Sequence, residues 1–273
     1  MKRIGININR TKDKSTEILN LIKDIILKEI DNSIITVLDE IELNHEVLKD
    51  LDMIISLGGD GTILNTVRLI EGHPIPILGV NIGNLGFLTS SELNNFEEEF
   101  KDILNGNYTI ENRLLLDCKI NKDENTKFRA LNDIVISKGT LSRIVKFNIY
   151  IDGFLFTSFK ADGIIISTPT GSTAYSMSAG GPIIYPTLKV ISITPICPHI
   201  LGMRTLVIDS NSEIQIKPEL SSDKIFLTID GQSSKSMSDY DYITVKSAQQ
   251  ECKLIRTKNY DYFSVLRNKI INK

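Results

Sequence analysis

Apolar and polar residues alternate over residues 3–9, R-I-G-I-N-I-N, which predicts a first β-strand. The period then changes. Ile18, Leu19, Ile22, Ile25, Ile26 and Ile30 share one helical face, so a helix is predicted to run to about Ile30, with Ser15 as its cap. Residues 34–38 predict a second strand and residues 42–49 a short helix. The apolar run Met53-Ile54-Ile55 predicts another strand, after which Ile63, Leu64, Val67 and Ile70 recur at helical spacing. Residues 76–80 add a strand and residues 93–104 a Glu-rich helix. Strand and helix alternate throughout this part, the signature of a parallel sheet covered by helices.

Near Tyr108 the pattern changes to strands: 114–120, 128–137, 144–151, 154–159, 163–167, 205–208, 213–216, 225–229, 242–245 and 252–256. Asp152-Gly153 between two such runs is a hairpin signal. Many short strands with turns predict a sandwich-like β domain. The tail, 260–271, returns to helix and is expected to pack back on the first domain. The predicted organisation is an α/β domain over 1–106, a β-rich domain over 107–258, and a C-terminal helix over 259–273 that rejoins the first.

Between the strand opening at Met53 and the following helix lies Gly58-Gly59-Asp60-Gly61. Glycines let backbone approach a ligand, and free N–H groups at a helix start attract phosphate. Asp60 is the odd member, because a carboxylate repels phosphate. It suits taking a proton from an attacking hydroxyl, or holding Mg²⁺ against phosphate oxygens. The alternative is an Asp that caps a helix starting near Thr62. The spacing matches neither G-x-G-x-x-G nor the lysine-containing phosphate loop.

Three further stretches carry candidate chemistry. Asn81, Asn84 and Phe87 lie among glycines at the end of a predicted strand, where amides and a ring would suit a purine; a plain turn with a core Phe is the alternative. Asn132-Asp133 sits in an apolar run and would suit ribose hydroxyls, or a turn at a strand start. Adjacent strand residues face opposite ways, so the pair can share a ligand only across a bend. Residues 161–181 are the densest stretch: Asp162-Gly163 leads into an apolar strand, and then Ser167, Thr168, Thr170, Ser172 and Thr173 surround Pro169 and Gly171, followed by Tyr175. Such a hydroxyl-rich loop suits phosphate and amide ligands, through side chains and free N–H groups; a linker is the alternative, but a linker rarely abuts an apolar strand. Asp230-Gly231-Gln232 closes another strand and taken alone reads as a turn.

Composition narrows the classes. A chain of 273 residues allows one large domain or two modest ones. Lys plus Arg number 31 against 34 Asp plus Glu, so no basic excess points to nucleic acid. Cys118, Cys197 and Cys252 are far apart and odd in number, which argues against a disulfide framework or zinc site and fits a reducing cytoplasm. Cys197, between Pro195 and Pro198, is expected to be buried. His45, His73 and His199 show no metal-ligand spacing. The start lacks a signal-peptide apolar region, and no apolar run approaches a membrane span.

Four segments in order resemble the bacterial NAD kinases: Gly58-Gly59-Asp60-Gly61-Thr62; Asn84-Leu85-Gly86-Phe87-Leu88-Thr89; Asn132-Asp133; and Asp162-Gly163 through Ser167-Thr168-Pro169-Thr170-Gly171-Ser172-Thr173-Ala174-Tyr175. The last is very specific, whereas the first is shared with lipid kinases and phosphofructokinases. Residues 193–199, I-T-P-I-C-P-H, also resemble the family's C-terminal half. The resemblance implies a Rossmann-like N-terminal domain, a β-rich C-terminal domain and a homotetramer built from dimers. It implies phosphorylation of the adenosine ribose 2′-hydroxyl of NAD⁺ to give NADP⁺, with ATP or polyphosphate as donor and Mg²⁺ or another divalent cation held mainly through phosphates.

By matched position, the resemblance makes Asp60 the general base and Gly58, Gly59, Gly61 and Thr62 the phosphate loop. Asn132 and Asp133 would hold ribose hydroxyls of the nicotinamide half. Asp162, Thr173 and Ala174 would line the nicotinamide side, and Phe87 and Thr170 would flank the adenine. Gly61 and Gln232 fall among the NAD⁺-binding residues, and Tyr175 would reach a dinucleotide across a subunit interface. Lys160 stands where the family often has a basic residue, which fits NAD⁺ over NADH. Asp133 stands where the family usually has Glu, one methylene longer, and Ile82 where it usually has a polar or basic residue. Two rivals share parts of the pattern: a lipid kinase of the diacylglycerol kinase type, through G-G-D-G, and a dinucleotide-binding regulator in which Asp60 only caps a helix. Residues 167–175 and the lack of an amphipathic membrane stretch count against the lipid kinase.

Overall fold

The computed structural model describes residues 1–13, 16–40, 45–70, 72–83, 86–121, 127–139, 143–200, 202–219, 225–238 and 241–271. Two compact units emerge, Met1–Asn112 with Cys252–Lys273, and Arg113–Glu251.

The first unit runs β1 (Arg3–Ile8), α1 (Glu17–Glu29), β2 (Ile34–Val37), α2 (His45–Lys49), β3 (Met53–Gly58), α3 (Asp60–Leu69), β4 (Ile77–Asn81), β5 (Ser91–Glu92), α4 (Phe96–Leu104) and β6 (Tyr108–Arg113). Its sheet has the order β2-β1-β3-β4 and continues into a late strand, then β6, with β5 beside β4. β1 pairs in parallel with β2 and β3, and β3 with β4. Parallel strands joined by helices bury both faces, which is why β3 is apolar and fully buried along its length. Leu19, Ile22 and Ile26 of α1 are buried in the same core as Ile4, Ile6, Ile55 and Leu57. The first turn of α1 is held by the buried Asp13 carboxylate, which accepts from Ile18 N (3.2 Å) and Leu19 N (3.0 Å). Ser15 lies outside the described residues, as does the start of the helix expected over 42–49.

The second unit holds two six-stranded antiparallel sheets. Its strands are β7 (Leu116–Ile120), β8 (Lys127–Ala130), β9 (Asp133–Lys138), β10 (Val145–Ile151), β11 (Phe154–Ala161), β12 (Gly163–Ser167), β13 (Val190–Ile196), β14 (Leu206–Asp209), β15 (Ile214–Glu219), β16 (Ile225–Ile229), β17 (Ser233–Met237) and β18 (Ile243–Ser247), with a one-turn helix α5 (Tyr175–Ser178) between β12 and β13. One sheet is ordered β11-β10-β15-β18-β7-β8 and the other β14-β13-β12-β9-β16-β17. Inward residues of both, such as Phe147 and Ile216 from one and Ile136 and Ile164 from the other, form a common core, the sandwich the alternation predicts.

Three strand expectations change. The run expected over 128–137 divides at Leu131-Asn132 into β8 and β9, which belong to different sheets. β13 and β17 escape the pattern, β13 because it carries Pro195 and β17 because four of its five residues are exposed and polar. The strand expected at 252–256 leaves the sandwich: β19 (Cys252–Thr257) lies parallel to β4 in the first sheet, with Leu254 opposite Ile77. α6 (Tyr262–Leu266) follows in the same unit, capped by Asp261, whose carboxylate accepts from Phe263 N and Ser264 N. Cys197 follows the end of β13 and is exposed, with φ of 47°, which contradicts the expected burial.

Candidate active site

β3 delivers Gly58 to the carboxyl edge of the parallel sheet, the edge where ligands of such sheets bind. A β-carbon on Gly58 would fall 2.0 Å from Thr62 Oγ1, so only glycine lets α3 start this close to the strand. Thr62 N donates to Gly59 O (2.9 Å) and Gly59 N to Thr62 Oγ1 (3.3 Å), which fixes the turn. Gly61 is exposed and Thr62 buried.

Asp60 begins α3 and does not cap it. Its carboxylate instead reaches the loop after β4, where Oδ2 accepts from Phe87 N and Oδ1 from Leu88 N, each at 2.9 Å. Each oxygen keeps a further acceptor direction for a hydroxyl. A β-carbon on Gly86 would lie 2.0 Å from Asp60 Oδ1, so the loop can wrap the carboxylate only with glycine there. The far side of this loop is tied to the end of β19: the buried Arg256 donates from Nη1 to Leu88 O (2.8 Å) and Ser90 Oγ (2.9 Å), and Tyr260 OH donates to Phe87 O (3.4 Å). The guanidinium also pairs with Glu111 and lies 4.0 Å from the Tyr260 ring centroid. Asn81 departs from its purine reading, because its buried amide closes its own turn with Gly83 N and Gly83 O. Asn84 lies outside the described residues.

In the second unit the bend at Leu131-Asn132 is held from one side chain. Asp230 Oδ1 accepts from Asn132 N (2.7 Å) and Asp133 N (3.1 Å), and Oδ2 from Leu131 N (3.0 Å). Asp230 and Gly231 sit at φ of 51° and 65°, the positive values of a tight hairpin turn, and this aims the Asp230 carboxylate at β9. Gln232 N closes that turn on Ile229 O, and its side chain is exposed. Asp133 is buried, and burial, followed by the charge of Asp230, pushes its carboxyl up to about 7.

The hydroxyl-rich turn after β12 abuts the same bend. Thr168 Oγ1 donates to Leu131 O (2.6 Å), Thr168 N to Asn132 O (2.9 Å), and a β-carbon on Gly171 would fall 2.2 Å from Asn132 O. Ser172 Oγ donates to Pro169 O (2.7 Å) and accepts from Ile184 N (3.0 Å), and Thr170 Oγ1 accepts from the buried Arg113 (3.1 Å). Ser167, Thr168, Thr170 and Ser172 are all buried. The hydroxyls of Ser167, Thr168 and Ser172 thus bond backbone carbonyls and fix the turn, while that of Thr170 accepts from Arg113. What the turn presents outward is Thr173 and Ala174, half-buried, and Tyr175, 47% exposed. Asp162 is half-buried and pairs with Lys138 Nζ at 3.1 Å, while Lys160 is exposed on β11.

Asn132, Asp133, Thr170, Thr173 and Ala174 are thus parts of one bonded assembly with Asp230, and Asp60 and Phe87 of another with Arg256. Sequence reasoning missed Asp230 and Arg256. The D-G turn marked the first, but nothing local shows that its carboxylate reaches residues a hundred positions away. Among the described residues no three His, Cys, Asp or Glu side chains cluster as a metal cage, and the single carboxylate at the glycine turn already accepts two amides. The side chains alone therefore do not fit a resident divalent cation.

A parallel sheet whose carboxyl edge carries an acidic glycine turn, in a chain with a β-sandwich built around a tightly bonded hydroxyl turn, defines a nucleotide-directed phosphotransferase. The particular family follows from comparison with known proteins. Residues 6–108 match the family model of the ATP-NAD kinase N-terminal domain and residues 131–257 that of the ATP-NAD kinase C-terminal domain. An NAD kinase of Clostridium botulinum is 47% identical over 272 residues, 99% of this chain and 96% of the relative. One of Clostridium beijerinckii is 44% identical over 274 residues, 100% and 96% of the two chains. Among solved structures, an NAD kinase from Archaeoglobus fulgidus in complex with ATP superposes with a TM-score of 0.81 at 26% identity, covering 99% of each chain. Yeast NADH kinase complexed with NADH gives 0.81 at 27% identity, covering 100% of this chain and 88% of that one. The chain belongs to the NAD kinase family, and it is an enzyme that phosphorylates NAD.

Proposed function

We propose that the enzyme transfers the terminal phosphoryl group of ATP or inorganic polyphosphate to the 2′-hydroxyl of the adenosine ribose of NAD⁺. Asp60 takes the hydroxyl proton, and the ribose oxygen forms the new bond to the terminal phosphorus. The bond from that phosphorus to its bridging oxygen breaks, leaving ADP or a shortened polyphosphate. The observation that carries the reading is Asp60 itself, a carboxylate fixed by two backbone amides at the turn where phosphate is expected. Held this way it needs little reorganisation to accept a proton. The backbone amides of Gly59, Gly61 and Thr62 are assigned to the phosphate, with Gly58 permitting the turn.

Asn132, Asp133, Asp162, Thr173, Ala174 and Gln232 are assigned to the nicotinamide half, Phe87 and Thr170 to the adenine, and Lys160 to the choice of NAD⁺ over NADH. The donor's phosphates, rather than protein side chains, would hold a divalent cation such as Mg²⁺, which would supply neutralisation of their charge. The ATP complex of the archaeal relative supports ATP as donor. The active form is a homotetramer of the cytoplasm, in which the exposed Tyr175 contacts the dinucleotide of a neighbouring subunit.

The test is to incubate purified enzyme with NAD⁺, Mg²⁺ and either ATP or polyphosphate, and to measure NADP⁺ with an NADP-specific dehydrogenase. NADP⁺ formed with one donor establishes the reaction and names the donor. No NADP⁺ with either, from folded protein that binds NAD⁺, overturns it.

A further inference from the structure

We propose that Lys12 holds the phosphate chain of the donor over the two glycine loops of the first unit. The inference rests on the phosphoryl-transfer reading and adds to it a residue that neither motif contains.

β1, β3 and β4 are neighbouring parallel strands, so their carboxyl ends lie side by side along one edge. The turn after β1 is tied to that edge. Asn9 N donates to Leu57 O (2.9 Å), Asn9 Oδ1 accepts from Thr11 N (3.0 Å) and Thr11 Oγ1 (2.6 Å), and Lys12 N donates to Asn9 O (2.9 Å). The chain is thereby folded back, and the Lys12 side chain crosses the sheet edge. Its Nζ lies 3.7 Å from where a β-carbon on Gly59 would be, and 3.2 Å from one on Gly83. Ile82 N donates to Gly58 O (3.0 Å), which joins the two loops into one floor beneath the ammonium.

Among the described residues, the other charges of this turn are committed elsewhere. Arg10 is bonded to Asp39 and Glu40, and the Asp13 carboxylate caps α1. Among the described residues the Lys12 ammonium has no hydrogen bond and no carboxylate partner, and the residue is exposed. An ammonium poised above glycines, where backbone can come close, matches a polyanionic phosphate chain as a point charge. It also answers the problem Asp60 creates. A carboxylate at the glycine turn repels the donor, and a cation over the same floor offsets that repulsion.

Lys12→Met keeps the length and removes the charge; Lys12→Arg keeps the charge. For Lys12→Met the Michaelis constant for the donor should rise about tenfold or more, that for NAD⁺ should stay within about twofold, and Lys12→Arg should recover most of the difference. Binding of inorganic tripolyphosphate, measured by calorimetry without NAD⁺, should weaken by a similar factor and lose part of its salt dependence. A Lys12→Met enzyme with unchanged donor constant and unchanged tripolyphosphate affinity overturns the proposal. So does a parallel rise in both Michaelis constants with a lowered Tm, which marks a structural lysine. Absence of turnover by the unmodified enzyme would sink the phosphoryl-transfer reading alone, because the tripolyphosphate titration still decides the role of Lys12.

Discussion

Asp60 and Gly86 share one volume: a β-carbon on Gly86 would overlap Asp60 Oδ1, 2.0 Å away, and the two amides after Gly86 both donate to that carboxylate. The proposed base is therefore positioned by a loop that follows a different strand. Gly86→Ala should displace the carboxylate or open the loop. The expected outcome is a loss of stability of about 1–3 kcal/mol, as for other overpacked sites, with a larger proportional loss of NADP⁺ formation. Thermal unfolding and steady-state assay on the same preparation check it, and a normal kcat would remove the loop from the mechanism.

Asp60→Asn separates chemistry from binding. Turnover should fall by about 10²–10⁴-fold with the base gone, while NAD⁺ still binds. Asparagine has one acceptor oxygen for the two amides of Phe87 and Leu88, so a moderate drop in Tm should accompany the loss. Retention of near-normal turnover would exclude Asp60 as the base.

The buried Arg256 pairs with the partly buried Glu111 behind the same loop. Arg256→Met would leave Glu111 without that partner and release Leu88 O and Ser90 Oγ. Stability should fall by about 3–5 kcal/mol, measured by urea unfolding. A loss below about 1 kcal/mol, the range of exposed pairs, would mean that the cluster is open to water.

Asp230 holds Leu131, Asn132 and Asp133 by their amides. Asp230→Asn leaves a single acceptor for three donors and should cost about 1–3 kcal/mol. It should also weaken NAD⁺, because the bend that presents Asn132 and Asp133 loses its anchor. An NAD⁺ titration of the folded variant that gives an unaltered Kd would detach the bend from substrate binding.

The pH dependence should carry the mark of Asp133. Its folded-state pKa, raised to about 7 by burial and then by Asp230, lies above the value of about 4 expected in the unfolded chain. Between these values the folded protein binds the extra proton, so this contribution to stability is full below about 4 and is lost as pH rises towards about 7. Asp133→Asn should flatten that part of the stability profile, and an unchanged profile would show that Asp133 is already ionised in the folded state.

Much of this architecture is legible along the chain. The glycine turn at Gly58-Gly59 and the hairpins at Asp152-Gly153 and Asp230-Gly231 are local: close approach or positive φ selects glycine and its neighbours within a few residues. The change from alternating strand and helix to short strands is equally local. β13 and β17 stayed hidden because Pro195 and the exposed serines of β17 break the period that marks a strand.

The sequence by itself determined most of the element types, the change from alternating strand and helix to short strands, and the motifs, since side-chain periodicity and turn geometry act over a few residues. Only the tertiary structure decided that β19 joins the first sheet, that the buried hydroxyls of Ser167, Thr168 and Ser172 serve the backbone, and that Asp60, Asp230 and Lys12 reach loops remote in sequence. Those relationships are set by which strand ends lie side by side, and a carboxylate or ammonium in the sequence carries no record of the distant amide or glycine it will face.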